Sequence, residues 1–363
     1  MPQALAELLH AIGIADPQGW GWRSVVLTFL IAATVTWRFT PTVRRFALKA
    51  GWADAPGGRR RHQGPLPNAG GLAVYAGVVL ALIAAFLLRP TLLDDVLVKI
   101  LSILLGGSLL VLVGFIDDQF ELTPRFRLVA QTVAALVLYA AGVRIEAAFS
   151  YPIDPVLSLL LTLFWVVGIT NAMNLIDGVD GLAGGVAFIA AMGLLAASAQ
   201  FESRAAATLI LAGLAGAALG FLRHNLPPSK IIMGDAGAYF FGYTLAAASI
   251  MGNVKITTAF ALVPVALFLL VPIADTTWVV IRRVRRGQNP LATPGRDHIH
   301  HWLLDHGLSN LAVVIVLWSV TLAASLLALW LQKIPSAAIA ATLLASVLAL
   351  GFVLWRRKLG EKR

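Results

Sequence analysis

The segment GGLAVYAGVVLALIAAFLL, Gly70 to Leu88, carries no charged side chain. One helical crossing of ~30 Å of hydrocarbon needs about 20 such residues, because an α-helix rises only ~1.5 Å per residue. Val96 to Ile116 repeats the pattern with a single charge, Lys99. Working outward from these two, apolar windows bounded by charged or Pro/Gly breaks fall at 22–40, 69–88, 96–116, 126–144, 155–172, 182–200, 204–222, 236–253, 258–281, 311–332 and 336–355. The expected fold is therefore all-α, a polytopic integral membrane protein with about eleven transmembrane helices. No internal repeat or low-complexity linker interrupts the chain, so residues 1–363 are expected to form one membrane domain.

Composition agrees with this reading. Of 363 residues, 59% are hydrophobic and 13% charged, and the mean hydropathy is +0.83, far more apolar than a soluble domain. The absence of cysteine excludes a disulfide framework, a thiolate metal site and a cysteine nucleophile, so oxygen or imidazole must hold any metal. The net charge of +10 could suggest nucleic acid, but in a polytopic protein such an excess is the usual positive-inside signature, and no nucleic-acid partner is expected. The amino terminus has no short basic-then-apolar signal with a small-residue cleavage site, so Trp22 to Thr40 is expected to stay as an anchor.

Eleven spans place the connections alternately on two sides, and 21 of the 28 Lys and Arg residues fall on one of them. The positive-inside rule makes that side cytoplasmic, with the amino terminus outside and the carboxyl terminus inside. The long connections, 41–68, 117–125, 173–181, 223–235 and 282–310, are all on this face. Chemistry collected on one face implies that two reactants meet there, whereas an ion pathway would place ionisable groups at mid-membrane depth.

Five constellations on these connections could carry chemistry. In GFIDDQFELTPRFR, Asp117 and Asp118 end an apolar helix. Adjacent carboxylates repel each other and oppose the helix dipole at a carboxyl terminus, so the pair needs a cation. Neighbouring positions do not share a helix face, which lets one ligate metal while the other handles substrate or a proton. In NAMNLIDGVDGLAGG, Asp177 and Asp180 are flanked by four glycines, with Asn171 and Asn174 one turn earlier. Glycines alone would signal close helix packing, but with two carboxylates and two carboxamides they suit a loop approaching a nucleotide. SKIIMGDAGAY presents Asp235 on a permissive Gly turn before a helix, which by itself would be an ordinary N-cap. PGRDHIHHWLL holds Arg296, His298, His300 and His301 beside the basic run Arg282 to Arg286. A transition-metal site is poorly supported there without Cys or Glu, and a clamp for pyrophosphate oxygens fits better. The fifth, RRRHQGPLPNAGG, spans Arg59 to Gly71 and includes His62; alone it would be a positive-inside anchor. Oxygen ligands without Cys argue for Mg2+, with Mn2+ able to substitute.

Taken in order, H-x-G-P-x-P-x-x-GG (His62 to Gly71), G-F-x-DD, N-x-x-N-x-x-DG-x-DGLAGG, the MGDAG turn and HIHH resemble the polyprenyl-phosphate N-acetylhexosamine-1-phosphate transferases. That bacterial family includes WecA and TagO, with the MraY translocase more distant. The resemblance spans most of the chain and implies transfer of a sugar 1-phosphate from a UDP-sugar to undecaprenyl phosphate, with release of UMP. It also implies Asp235 as the Mg2+ ligand, with Asp117 and Asp118 nearby to bind metal and to position or deprotonate the lipid phosphate. Asn171, Asn174, Asp177 and Asp180 would meet the nucleotide or the metal. Arg296, His298, His300 and His301 would hold the pyrophosphate, with His62 in the substrate-binding loop. The expected setting is the bacterial inner membrane, with membrane lipid as surroundings, a homodimer compatible, and a product that initiates cell-envelope glycan synthesis. HIHH and the H-x-G-P-x-P loop look more like the WecA and TagO branch than MraY, favouring UDP-GlcNAc over the muramyl-peptide donor. Ala238 departs from the Ser the branch commonly carries after GDAG, which leaves sugar identity open. Two other classes remain at this point, a transporter and a lipid-phosphate hydrolase. Against the first, the one carboxylate inside a span, Asp275, lies near its inner end. Against the second, the paired DG-x-DG segment would have no role.

Overall fold

The structure is a computed structural model and describes residues 22–54, 66–88, 93–148, 151–201, 204–252, 262–288 and 297–361; His62 and Arg296 lie outside them. In chain order the helices are α1 (Trp22–Ala50), α2 (Gly70–Leu88), α3 (Leu93–Phe120), α4 (Pro124–Ala140), α5 (Pro155–Ile176), α6 (Leu182–Ser198), α7 (Ala205–Asn225), α8 (Gly234–Gly252), α9 (Leu262–Phe268), α10 (Leu270–Arg285), α11 (Ile299–Asp305), α12 (Asn310–Leu331) and α13 (Ser336–Glu361). Two antiparallel ladders of two-residue strands complete it: β1 (Ala53–Asp54) with β2 (Leu66–Pro67), and β3 (Ala147–Ala148) with β4 (Tyr151–Pro152). Among the described residues six helices, α1, α2, α3, α5, α7 and α12, are long and apolar enough to cross a membrane. The protein is thus an all-α, multi-pass membrane protein.

Over the described residues each apolar window is mainly helical, but the boundaries differ where local chemistry intervenes. The window at 258–281 holds two helices that meet at Leu269. Pro272 has no N–H for the carbonyl of Phe268 four residues back, which breaks the ladder there. At the other end of the chain, α1 runs ten residues beyond the expected 40 and passes through Pro41. The proline cannot bond the Trp37 carbonyl, and His224 Nε2 of α7 lies 3.0 Å from that oxygen instead.

Small residues set how closely the helices approach, as expected where lipid supplies little drive for association. α7 is the central helix, packed against α1, α2, α6 and α8. A Cβ on its Gly216 would lie 2.1 Å from the Phe29 carbonyl oxygen of α1, and one on Gly220 2.3 Å from that of Ala33. Backbone therefore meets backbone. The same device brings α3 to α8: a Cβ on Gly114 would lie 2.5 Å from the Ala236 nitrogen, and one on Gly106 would strike the Tyr243 hydroxyl. At the α5–α8 contact Gly242 leaves room for Thr170, whose Cα would be 2.6 Å from a Cβ there.

These approaches have a functional consequence, because α3 carries Asp117, α8 carries Asp235 and α5 carries Asn174. Gly114→Ala is expected to force α3 off the α8 backbone, costing about 1–3 kcal/mol as an overpacked contact. A lower melting temperature of the purified protein checks this; a wild-type value would contradict it.

Candidate active site

Helix ends, more than loops, present the acidic residues. The expected connection 117–125 shrinks to 121–123, since α3 continues through Phe120, and Asn174 stands inside α5 because that helix runs to Ile176. Asp117 and Asp118 therefore occupy the last turn of α3, and their side chains part as adjacent helical positions must.

Asp117 is buried, at 6% exposure. Its Oδ1 accepts the Leu122 N–H at 2.7 Å, and its Oδ2 lies 3.2 Å from Arg127 Nη1. The Thr123 side chain accepts the Phe126 N–H and so caps α4, turning the chain back so that Arg127 stands over the carboxylate. The same Arg127 nitrogen is 4.0 Å from Asp235 Oδ2. Tyr239, one turn along α8 from Asp235, donates toward Asp117 Oδ2 at 3.2 Å and Asp235 Oδ2 at 3.5 Å. Asn174 Nδ2 donates to the other Asp235 oxygen at 2.7 Å. Two carboxylates from separate helices thus converge.

Asp118 faces the other way. Its Oδ1 accepts the Asp235 N–H at 2.9 Å and its Oδ2 the Ala236 N–H at 3.4 Å, so it caps α8 from a different helix. Gly234, at φ +74°, makes the turn possible: a Cβ there would lie 2.4 Å from Asp118 Oδ2 and 2.3 Å from the Asn68 carbonyl. Asn68 in turn donates to the Asp118 carbonyl at 3.1 Å, and Gly70 and Gly71 donate to the carbonyls of Ile232 and Met233. The GPLPNAGG and MGDAG motifs are hydrogen-bonded to each other.

Although the Asp235 side chain keeps 30% of its exposure, protein surrounds it on the remaining sides. Burial first, then hydrogen bonding with and the negative charge of Asp117, lift its carboxyl to about 7, against the smaller opposing effects of Asn174 and Arg127. A carboxyl so raised marks a place short of positive charge. The donors there are oxygens, which suits a hard divalent cation, so the residues fit Mg2+.

The other predicted residues fall into two neighbouring groups. Asp180 Oδ2 accepts the Ser229 N–H at 3.2 Å, and Asn225 joins the Gly181 N–H (2.9 Å) to the Ile231 carbonyl (3.0 Å), lacing the DG-x-DG segment to the irregular run before Asp235. Asp177 caps α5 and is 8% exposed. Asn171 is set apart from these, its amide exchanging hydrogen bonds with Gln131 of α4 at 2.6 and 3.3 Å.

In the histidine segment, His298 Nδ1 is 2.7 Å from Asp275 Oδ2, and the Ile299 N–H donates to Asp275 Oδ1 at 2.6 Å. Asp275, His298 and His300 are all buried with candidate ligand atoms within 4.8 Å of one another, a set able to hold a metal ion. His300 lies against Gly178, where a Cβ would be 2.3 Å from its Nε2. His301 is half-buried, its ring 4.4 Å from that of His300. Asp297 is held by Arg286 at 2.9 Å and Arg283 at 3.5 Å.

Three residues of this site were not singled out by sequence reading. Arg127 and Tyr239 read as ordinary members of apolar windows, and Asp275 only as an acidic residue near a helix end. The i, i+4 spacing of Asp235 and Tyr239 was the one signal present.

Fold and site together define a polytopic membrane protein with an acidic, cation-ready centre where several helix ends meet. The chain belongs to Glycosyl transferase family 4, whose description it matches over residues 100–253, and the relatives below span most of its length. It is 33% identical over 315 residues, 85% of each chain, to the "Probable undecaprenyl-phosphate N-acetylglucosaminyl 1-phosphate transferase" of Bacillus subtilis (strain 168). Identity is 35% to the decaprenyl-phosphate N-acetylglucosaminephosphotransferase of Mycolicibacterium smegmatis, covering 82% of this chain and 79% of the relative. It is 32% to the undecaprenyl-phosphate alpha-N-acetylglucosaminyl 1-phosphate transferase of Salmonella typhi, covering 78% and 77%.

Proposed function

We infer that this protein transfers GlcNAc-1-phosphate from UDP-GlcNAc to undecaprenyl phosphate, releasing UMP and forming a lipid-linked pyrophosphate sugar that starts a cell-envelope glycan. The observation that carries this reading is the convergence of Asp117 and Asp235, bridged by Tyr239 and Arg127, at the polar end of an apolar bundle in a chain of this family. A phosphate oxygen of the lipid attacks the sugar-bearing phosphorus of the nucleotide, and the bond to the UMP phosphate breaks. One phosphoanhydride replaces another, so the reaction is close to thermoneutral. Positioning and charge neutralisation carry the rate.

Asp117 and Asp235 would hold Mg2+, and Asp118 would fix Asp235 by capping its helix. When bound, the cation supplies positive charge to the phosphate oxygens as charge redistributes. Arg127, 33% exposed over both carboxylates, is placed to receive a phosphate oxygen. Asn174, bonded to Asp235, and Asp177 and Asp180, in the DG-x-DG loop, would meet the nucleotide or the metal. Beside Gly178, His298, His300 and His301 would hold the pyrophosphate with Arg296, and His62 would lie in the substrate loop. The acceptor is already an anion, which favours direct attack over a phosphorylated Asp.

We further place the centre on the cytoplasmic face of the bacterial inner membrane, in an eleven-span, amino-terminus-out arrangement that forms one domain. The chain has no cysteine, so single cysteines report cleanly. With exposed Glu121 on the acidic side and exposed Lys333 on the other, Lys333→Cys should react with a membrane-impermeant maleimide in spheroplasts. Glu121→Cys should react only after permeabilisation, and the reverse pattern would overturn the orientation.

The deciding experiment is UMP release from purified enzyme with undecaprenyl phosphate. UDP-GlcNAc should support turnover and the UDP-MurNAc-pentapeptide should not, since a site built around one sugar's hydroxyls can reject an analogue by large factors. Faster turnover of the muramyl donor would reassign the substrate. No UMP from any UDP-sugar would end the transferase reading.

A further inference from the structure

Helix α8 carries a stripe of Asp235, Tyr239 and Tyr243 at spacings of four, which places all three on one face. Both tyrosines are fully buried, at 1% and 0% exposure, beside Phe240 and Phe241. A phenylalanine would fill either position, and a buried hydroxyl is costly unless it is paired. The two hydroxyls differ in what pairs them. That of Tyr243 meets the backbone carbonyls of Ser102 and Ala134, each at 3.3 Å, and ties three helices together. That of Tyr239 donates toward two carboxylate oxygens, Asp117 Oδ2 and Asp235 Oδ2, and also pairs with the Arg127 guanidinium.

Those are also the two oxygens nearest Arg127, at 3.2 and 4.0 Å. Their partners are engaged elsewhere, Asp117 Oδ1 by the Leu122 N–H and Asp235 Oδ1 by Asn174. The oxygens left to face a cation are thus the pair that shares the phenol. Asp117 and Asp235 already share a hydrogen bond and face one Arg127 nitrogen. To these the Tyr239 O–H, within reach of both Oδ2 atoms, adds a donor on a rigid ring that turns each toward the other.

We propose that Tyr239 is a positioning residue, whose hydroxyl fixes the two Oδ2 atoms of Asp117 and Asp235 at the separation a divalent cation needs. This rests on the reading of that pair as the cation site. A hydrogen-bond partner behind a metal-ligating carboxylate commonly contributes 10–100-fold to metal affinity, so loss of the hydroxyl should appear in binding before any substrate is added.

The test is Mn2+ binding, followed by electron paramagnetic resonance, to the full-length purified enzyme without nucleotide or lipid. Tyr239→Phe removes the oxygen and keeps the ring. It is expected to raise the Mn2+ dissociation constant on the order of tenfold, to lower kcat at limiting metal, and to leave the KM for UDP-GlcNAc and the metal-free melting temperature near wild type. Tyr243→Phe, which removes a buried hydroxyl whose partners are backbone carbonyls and not the two carboxylates, should leave Mn2+ affinity unchanged. An unaltered Mn2+ constant in Tyr239→Phe overturns the proposal. If that variant does not fold, Tyr239→Met serves in its place, with the same outcome decisive. Failure of the wild-type protein to bind Mn2+ saturably overturns the cation site itself, a result distinguishable from failure of the tyrosine.

Discussion

Asp235→Asn is expected to abolish turnover, by about a hundredfold or more, while the helical bundle stays folded. The expected size follows from ligation: exchange of a partner behind a metal ligand already costs 10–100-fold, and this exchange removes the ligand's charge itself. The amide keeps the size and shape of the carboxyl, and the backbone N–H of residue 235 still donates to Asp118 Oδ1. The helix start therefore survives. What disappears is half of the negative charge that faces Arg127 and Tyr239, and with it the charged ligand for a hard cation. Asp117→Asn should be equally inactive but less stable, because Asp117 also receives the Leu122 N–H and the Arg127 guanidinium in a buried place. Activity assays beside thermal melts separate the two effects. Near-normal turnover of Asp235→Asn would remove it from the chemistry.

Chelation is expected to silence the enzyme and Mg2+ or Mn2+ to restore it, with a pH dependence set by Asp235. Its carboxyl, lifted to about 7 by burial and by Asp117, is protonated in the metal-free protein at lower pH. A raised carboxyl favours the neutral form, and a cation binds the charged one, so the metal must displace a proton below that point. The Mg2+ concentration giving half-maximal activity should therefore rise roughly tenfold for each pH unit below about 7 and level off above it. Saturating Mg2+ should erase the difference. A requirement for Mg2+ that does not change across this range would show that Asp235 is not the group the cation displaces, and full activity in excess chelator would exclude the metal.

The polar motifs were visible because their residue types have no ordinary use in lipid. Asp177 and Asp180 among glycines, and three histidines within four residues, stand out against an apolar background. Their partners did not. Tyr239 and Arg127 fall within windows whose hydrophobicity defines the helix, and a hydroxyl or guanidinium there acquires its role only from what another helix brings opposite it. Asp275 looked like an isolated membrane carboxylate until His298, 23 residues further on, was found 2.7 Å away. Asn171 showed the converse: it shares a motif with Asn174 but, about one turn further from the end of α5, lies where Gln131 of α4 takes its amide.

Length and apolar periodicity are local sums over the chain, and the sequence by itself therefore determined a helical, polytopic membrane protein. The order of the five motifs carried the family. Only the tertiary structure decided how the two aspartates of the DD pair divide their work, Asp117 turning to Asp235 and Asp118 to the amino terminus of α8. That choice depends on α3 and α8 meeting at Gly114, on the left-handed turn at Gly234, and on Asn174 arriving from α5. Contacts between residues 61 to 122 positions apart have no period or spacing in the chain to announce them.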